Sequence, residues 1–470
     1  MQTAPKPAPD LLRELNAWHA IAIVAGTIIG SGIFRVPGEM MKDVGSSGMV
    51  YLVWIVGGLL SFAGALTYAE LGAIKPWAGG EYVYIRDAYG PLPGFLYAWT
   101  WFLIAKPASI ATVATGVVDV LGTLPSFSFL NGHLFALHFT ASKTFEVTNG
   151  TLVAIAATVL ISALNYIGVK KAGSFQLVFT TLKVGIILAI MFIGFTASSG
   201  TWGNFHTTFL GAKGGFAGFM LALTAALWAY DGWNDLNMVS GEISNPGRNI
   251  PIALIAGVAI VAVLYIGINA AVQFVMPAAT IADAKVPASL ATQLAIGSVG
   301  AALVTVGMAF SMFVTMNGTI MSGGRVPFAV ARDGYFFKKL GEVHPRFHTP
   351  GLALVVQAIL AILLLLVGGA FKDLFSLAIF AEWLFYMIAA STIFVFRRRE
   401  PNTPRPYRTW GYPVVPAIFI MAAAVLLYST FTENLTNSFA GTLVILAGIP
   451  VYLYFANKKR QSNSPTYTNV

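Results

Sequence analysis

The sequence predicts an all-α polytopic membrane protein, and three observations support this fold class. Apolar residues make up 57% of the 470 residues and charged residues only 10%, whereas soluble domains carry about a quarter. Several runs contain no charged residue, among them residues 48–69, 251–277 and 286–324, and each is long enough to cross about 30 Å of hydrocarbon. Glycine-bearing segments interrupt two of the apolar stretches.

Hydropathy divides the chain into about twelve membrane spans, numbered here in chain order. The predicted limits are residues 16–44, 47–74, 92–120, 149–168, 174–198, 214–242, 251–277, 294–326, 351–369, 373–396, 411–431 and 438–456. Spans 1 to 5 occupy residues 16–198, spans 6 to 10 occupy 214–396, and spans 11 and 12 occupy 411–456. Polar tails, 1–15 and 457–470, flank them. Each group of five begins with a broken span.

Membrane topology explains the net charge of +9, so we expect no nucleic-acid partner. With the N-terminus inside the cell, most Lys and Arg residues fall on the cytoplasmic side, as the positive-inside rule requires. The external side then holds only Arg35, Lys42, Lys143, Lys213, Lys285 and Lys372. We expect a multi-pass protein of the cell membrane, in a bacterium the inner membrane, with both tails cytoplasmic. Residues 1–10 lack the apolar run of a cleaved signal peptide.

The first break, residues 26–32 (GTIIGSG), predicts a binding site for an anion beside a site for a cation. Non-helical backbone is tolerated at membrane depth only where protein or a watery cavity satisfies its polar groups. Beside Gly30, the amides of Ser31 and Gly32 start a second half-helix whose dipole attracts an anion. The carbonyls of Thr27 and Ile28 face the same gap and suit an ammonium. An α-amino acid presents both groups.

The second break, residues 228–233 (WAYDGW), completes the predicted substrate site with Trp228, Asp231 and Gly232. Two glycine kinks in ordinary packed helices are the alternative, but they do not explain a break in the first span of both groups. Trp228 is either a gate over the substrate or a core residue. Asp231 either caps the half-helix expected from Trp233 or uses its charge to hold an ammonium or a proton.

Lys183 lies in the apolar body of span 5, where a cation costs about 2.5–3.5 kcal/mol. We predict that it donates to the broken backbone of span 1 and replaces a bound metal cation; snorkelling to an interface is the alternative. Lys106 precedes Pro107 and either satisfies a carbonyl freed by that proline or lines the pathway. Glu382 is a candidate gate residue, and Glu70 is expected to be solvated at the cytoplasmic interface.

Other classes of protein find little support in the sequence. There is no cysteine, which excludes thiolate metal sites and a disulfide-linked heavy subunit. The six histidines show no metal-ligand spacing, so we expect neither a metal nor another cofactor. No nucleophiles converge beside the breaks, which argues against a membrane-embedded enzyme. A receptor with a transporter-like body stays an alternative.

Several motifs resemble those of amino-acid permeases in the amino acid–polyamine–organocation superfamily. In order they are residues 26–34 (GTIIGSGIF), 68–72 (YAELG), 79–84 (GGEYVY), 86–90 (RDAYG), 241–251 (GEISNPGRNIP), 332–334 (RDG), 344–346 (HPR) and 404–408 (PRPYR). Residues 230–237 (YDGWNDLN) are most similar to the L-type amino-acid transporter group, the light subunits of heteromeric exchangers and their bacterial relatives.

The resemblance implies a five-plus-five inverted repeat with broken spans 1 and 6, working by alternating access. By position, Ser31 and Gly32 match the carboxylate-binding backbone, and Ile28 and Trp228 the ammonium-binding carbonyls. Lys183 matches the lysine of sodium-independent members. We therefore predict a sodium-independent amino-acid transporter, exchanging neutral L-amino acids; a proton-coupled symporter and a cationic amino-acid or polyamine permease are alternatives. Trp228 stands where the group often has Phe, which leaves substrate size open.

Overall fold

The computed structural model describes residues 10–140, 143–367, 370–433 and 435–463, so the predicted tails lie partly outside it. The first part contains the helices α1 (Ala17–Ile28), α2 (Gly32–Val44), α3 (Ser47–Ile74), α4 (Glu81–Tyr89), α5 (Pro91–Thr100), α6 (Lys106–Leu121), α7 (Asn149–Tyr166) and α8 (Val169–Phe195). The middle part contains α9 (Gly215–Ala229), α10 (Asp235–Met238), α11 (Pro246–Val275), α12 (Ala278–Asp283), α13 (Pro287–Ile296), α14 (Ser298–Gly323) and α15 (Arg325–Arg332). The last part contains α16 (Gly351–Val367), α17 (Ala370–Arg399), α18 (Val414–Glu433), α19 (Leu435–Leu446) and α20 (Gly448–Asn463).

These helices confirm the prediction of an all-α polytopic membrane protein. In the described part of the chain, eight helical segments are long and apolar enough to cross a membrane, and the bent pair α1–α2 makes a ninth. Every predicted span contains at least one helix, but the count of twelve is not confirmed. The apolar helices α9 and α16, with 15 and 17 residues, are shorter than a full crossing.

Short elements join the long helices and were not predicted. The strands β1 (His133–Thr140) and β2 (Lys143–Thr148) pair antiparallel between α6 and α7. A π-helical turn, Trp101–Ala105, joins α5 to α6. Short segments of 3₁₀-helix occur at Pro125–Asn131, Trp202–His206, Ser240–Glu242 and Lys338–Gly341.

The first half of the broken helix α1–α2 is buried in the bundle from His19 onward. Asn16 caps α1 by accepting from the amide of His19 at 3.1 Å, and the helix then packs against α8, α11 and α14. Side chains on all its faces are buried, which is expected of a helix that is apolar all round. Gly26 allows close packing, because a Cβ there would lie 2.2 Å from the Thr180 hydroxyl on α8. The chain bends by 42° between α1 and α2.

Candidate functional site

A cavity of about 140 Å³ lies where the two broken segments meet. A cavity of about 150 Å³ in another protein holds benzene, so this one has room for a small organic molecule. Its wall includes all eight residues predicted from the breaks, namely Thr27, Ile28, Gly30, Ser31, Gly32, Trp228, Asp231 and Gly232. The structure therefore brings the two predicted half-sites together, while their role in binding stays a prediction.

The first break leaves backbone donors at the cavity. Ile29 is extended, α2 begins at Gly32, and the side chain of Ser31 makes no capping hydrogen bond. The amide of Phe34 donates to the Ser31 carbonyl at 3.2 Å. Within the described residues, the amides of Ser31 and Gly32 have no acceptor, since the first amides of a helix cannot bond within it. Two free donors thus point from the start of a helix toward the cavity.

Lys183 lies behind the cavity wall and satisfies the carbonyl groups that the break frees. Its side chain is buried, with 1% of its surface exposed, which rules out snorkelling. The ammonium donates to the carbonyls of Gly26 at 2.8 Å and Ile29 at 2.6 Å, and lies 3.2 Å from the Thr315 hydroxyl. Thr315 and Ser311 on α14 also donate to the Ile29 carbonyl, at 3.0 and 2.9 Å. Together they fix the geometry of the break.

A tyrosine that the sequence analysis missed ties the two breaks to each other. The hydroxyl of Tyr265 on α11 lies 2.9 Å from the carbonyl of Ala229 and 3.2 Å from that of Ile28. The Trp228 carbonyl accepts from the amide of Asp231 at 3.2 Å. The carbonyl of Thr27 has no donor among the described residues and is the free acceptor of this group.

The second break differs from the prediction in where the helix resumes. Gly232 has φ of +106°, and a Cβ there would lie 3.0 Å from the Thr27 side chain, so both conformation and space favour glycine. The next helix, α10, begins at Asp235 rather than Trp233, and Asn234 precedes it without a side-chain cap. Asp231 is therefore too far from the helix start to cap it. Its carboxylate accepts instead from the Tyr386 hydroxyl at 2.9 Å.

Trp228 is not a core residue, because 44% of its surface is exposed. Its ring lies over Gly32, where a Cβ would be 3.4 Å from the ring carbon Cζ3. Ala229 packs against the same glycine even more closely. The position above the amides at the start of α2 fits the gate interpretation better than core packing.

Lys106 lines the cavity and pairs with a carboxylate, not with a freed carbonyl. Its ammonium forms a short, buried ion pair with Asp235 and lies 5.2 Å from the centre of the Trp101 ring. The π-helical turn before it accommodates the loss of a backbone donor at Pro107, as the amide of Lys106 donates five residues back to Trp101. The expectation that Lys106 satisfies a proline-freed carbonyl is therefore wrong.

The remaining charged side chains form a polar wall on the far side of the cavity. The hydroxyl of Tyr386 lies 2.9 Å from Glu382 Oε1, 2.9 Å from Asp231 Oδ1 and 3.0 Å from Asn234 Oδ1. Asn234 in turn donates to Glu81 at 2.6 Å. Tyr386 follows Glu382 by four residues, so helical spacing indicates its contact with Glu382 but not its contacts with Asp231 and Asn234.

Glu70 is not solvated as expected but fully buried. Arg397 donates to it with two nitrogens, at 2.9 and 2.7 Å, Arg405 lies 3.2 Å away, and the amide of Thr409 donates at 2.7 Å. The loop between α17 and α18 folds over the end of α3 and covers the carboxylate. Hydropathy alone predicts where the span ends, but it does not predict which loop packs against that end.

Comparison with known proteins identifies the family. A sequence profile described as amino acid permease matches residues 15–455. The chain belongs to the amino acid permease family. Family membership confirms the predicted resemblance and the prediction of a multi-pass membrane transporter rather than an enzyme.

Full-length relatives of this permease include bacterial and animal transporters. The serine/threonine exchanger SteT of Bacillus subtilis (strain 168) is 33% identical over 96% of this chain and 98% of its own length. The b(0,+)-type amino acid transporter 1 of Homo sapiens is 31% identical over 98% of this chain and 91% of its own length. The large neutral amino acids transporter small subunit 2 of Mus musculus is 30% identical over 96% of this chain and 83% of its own length.

Proposed function

We propose that this permease is a sodium-independent exchanger of neutral L-amino acids. The position of Lys183 is the observation that supports the proposal most directly. Its ammonium donates hydrogen bonds to the carbonyl oxygens of Gly26 and Ile29. A bound metal cation would otherwise stabilise the broken backbone at this position. A cation that the protein supplies itself removes the requirement for sodium at this point.

The substrate is held by main-chain groups in this proposal. Its carboxylate lies on the amides of Ser31 and Gly32, because these donors are free and the dipole of α2 favours an anion. Its ammonium lies near the carbonyl of Thr27 and the carboxylate of Asp231. The carbonyls of Ile28 and Trp228 already accept one bond each or more, but a carbonyl oxygen has two lone pairs and can accept again.

A small substrate side chain is supported by cavity size, and neutral substrates and exchange are supported by the names of the relatives. The cavity of about 140 Å³ suits a small side chain. One relative is named a serine/threonine exchanger and another a large neutral amino acids transporter subunit. Because the sequence has no cysteine, any association with a heavy subunit would be non-covalent.

Alternating access would move residues 16–198 against residues 214–396, the two proposed inverted repeats, with both tails cytoplasmic in a bacterial inner membrane.

A buried ion pair supports closure on the cytoplasmic side. Arg325, at the joint of α14 and α15, donates two bonds to Glu242, at 2.7 and 2.9 Å, and both side chains are fully buried. Trp228 would gate the cavity from the other side.

Transport in liposomes tests the proposal. Purified protein is reconstituted with radiolabelled L-serine inside, and efflux is followed with and without unlabelled L-serine outside, in sodium and in choline buffers. We expect external L-serine to accelerate efflux equally in both buffers, with protein-free liposomes as the control. An efflux rate that external L-serine does not change would contradict exchange. Loss of efflux in choline buffer would contradict sodium independence. Competition by decarboxylated amines would favour a cationic amino-acid or polyamine permease instead.

A further inference from the structure

The hydroxyl of Tyr386 has more acceptors around it than it has protons. Oxygen atoms of Asp231, Glu382 and Asn234 all lie within 3.0 Å of Tyr386 Oη. A phenolic hydroxyl has one proton to donate and can accept two further bonds. If both carboxyl groups were ionised, two of the three neighbours would face the lone pairs of Oη without a proton between them. Polar groups left in this way destabilise the structure.

The orientation of Asn234 does not relieve this shortage. Its amide nitrogen donates to Glu81 Oε1 at 2.6 Å, which leaves Oδ1, an acceptor only, facing Tyr386. Tyr97 donates to the other oxygen of Glu81 at 3.3 Å. With Asn234 in this orientation, the extra proton comes from a carboxyl group of Asp231 or Glu382.

Like charge leads to the same conclusion. The interacting oxygens of Asp231 and Glu382 each lie 2.9 Å from one atom, so they cannot be further apart than twice that distance. Carboxylates within about 4–6 Å of each other disfavour double ionisation. Both groups also lie on the cavity wall, inside the bundle, where charge is weakly screened.

The surroundings offer one cation, already paired with another carboxylate, to offset two negative charges. The ionisable side chains that interact with Asp231, Glu382 or Tyr386 in the described structure include Lys106 on α6, Asp235 on α10, Glu81 on α4 and Tyr68 on α3. Lys106 is the single cation among them, and its ammonium bonds to Asp235. Rings of Trp233 and Trp383 cover the Tyr386 ring.

We propose that Asp231 and Glu382 hold one exchangeable proton between them, bridged by Tyr386 Oη, and that this proton is released to water when a substrate ammonium binds beside Asp231. The proton site stands on the geometry alone, whereas its release by substrate rests on the proposed function. A nearby ammonium stabilises the ionised pair, so binding of substrate and loss of the proton favour each other.

Infrared spectroscopy of the purified protein tests the proton site without transport. The wild-type chain should show the carbonyl stretch of a protonated carboxyl group that shifts in heavy water and disappears on alkalinisation. Glu382→Gln and Asp231→Asn should each remove this band completely, because each carboxyl keeps the proton only beside the other. Glu39→Gln, at an exposed position of α2, is the matched control. An unchanged band in both variants would overturn the proposal.

Tyr386→Phe keeps the test decisive if one of these variants does not fold. It retains both carboxyl groups but removes the bridging oxygen, so the band should persist at a different frequency. Tyr428 is 71% exposed, so Tyr428→Phe should leave the band unchanged. No change of frequency in Tyr386→Phe would overturn the bridge.

Binding of L-serine at different pH tests the release of the proton. The dissociation constant of the wild type should fall as pH rises through the range in which the infrared band is lost, by at most about tenfold per pH unit for one proton. In Glu382→Gln it should change less than about twofold over the same range, since no proton is linked to binding. If L-serine does not bind at any pH while the band behaves as expected, the proton site stands and neutral-substrate recognition fails.

Discussion

The ammonium of Lys183 lies 2.6 Å from the carbonyl oxygen of Ile29, the extended residue that follows α1. The bond joins α8 to the middle of the broken helix, and neither Lys183 nor Ile29 lines the cavity. Lys183→Ala should therefore slow exchange by about tenfold or more, as a charge-assisted bond is worth about 1.5–3 kcal/mol, with much less effect on binding. Exchange rate and dissociation constant in one preparation measure the two effects.

Lys171→Ala is the matched control for this variant, because Lys171 lies on the same helix and is exposed. It should exchange like the wild type. A wild-type exchange rate in Lys183→Ala would remove the lysine from the transport mechanism.

Main-chain recognition predicts a strict requirement for both charged groups of an amino acid. L-Serine methyl ester and ethanolamine should compete with labelled L-serine about 10- to 100-fold more weakly than L-serine itself, since each loses charge-assisted bonds worth about 1.5–3 kcal/mol. Competition for exchange into liposomes measures this. Ethanolamine that competes as well as L-serine would show that the amides of Ser31 and Gly32 do not bind the carboxylate.

Trp228→Ala separates gating from packing. A gate that is lost should raise passive leak of trapped L-serine and leave the melting temperature nearly unchanged, because the side chain is 44% exposed. Trp54→Ala provides the contrast, as Trp54 is fully buried and its loss should cost about 3–5 kcal/mol of stability. Leak rates and thermal unfolding are compared for both. Equal destabilisation of the two variants would favour packing for Trp228.

The broken helices and the partner of Lys183 could be predicted because their signals are local. Glycine-bearing breaks in the first span of each group of five and a lysine in an apolar helix carry an energetic cost that only a polar partner explains. The eight predicted residues of the cavity wall could be found in this way, since the residues that form a break are neighbours in sequence.

Residues that reach across the bundle could not be found from local pattern. Tyr386 contacts Asp231 over a sequence separation of 155 residues, and Tyr265 contacts Ile28 over 237. In the sequence alone, a buried tyrosine cannot be distinguished from an ordinary apolar core residue, because the partners of its hydroxyl are unknown. The error at Glu70 has the same origin, because Thr409 and Arg405 approach it from a loop that hydropathy cannot position.

The ion pair of Arg325 and Glu242 predicts a strong effect on stability. Glu242→Gln leaves a fully buried guanidinium without its anion, which costs about 3–5 kcal/mol in comparable pairs. The melting temperature in detergent should fall clearly, whereas Glu342→Gln, at an exposed position, should not change it. A melting temperature that stays at the wild-type value would mean that the pair does not hold the cytoplasmic side closed.

Tyr265 should couple the two halves of the substrate site. Tyr265→Phe removes a hydroxyl that lies 2.9 Å from the Ala229 carbonyl and 3.2 Å from the Ile28 carbonyl, and it preserves the ring that packs against Trp54 and Tyr230. A net hydrogen bond is worth about 0.5–1.5 kcal/mol, so the dissociation constant for L-serine should rise by about two- to tenfold while the melting temperature changes little. Tyr428→Phe, which removes an exposed hydroxyl, should bind L-serine as the wild type does. Tighter binding in Tyr265→Phe would mean instead that the hydroxyl competes with the substrate ammonium for the carbonyls, because its removal would free them.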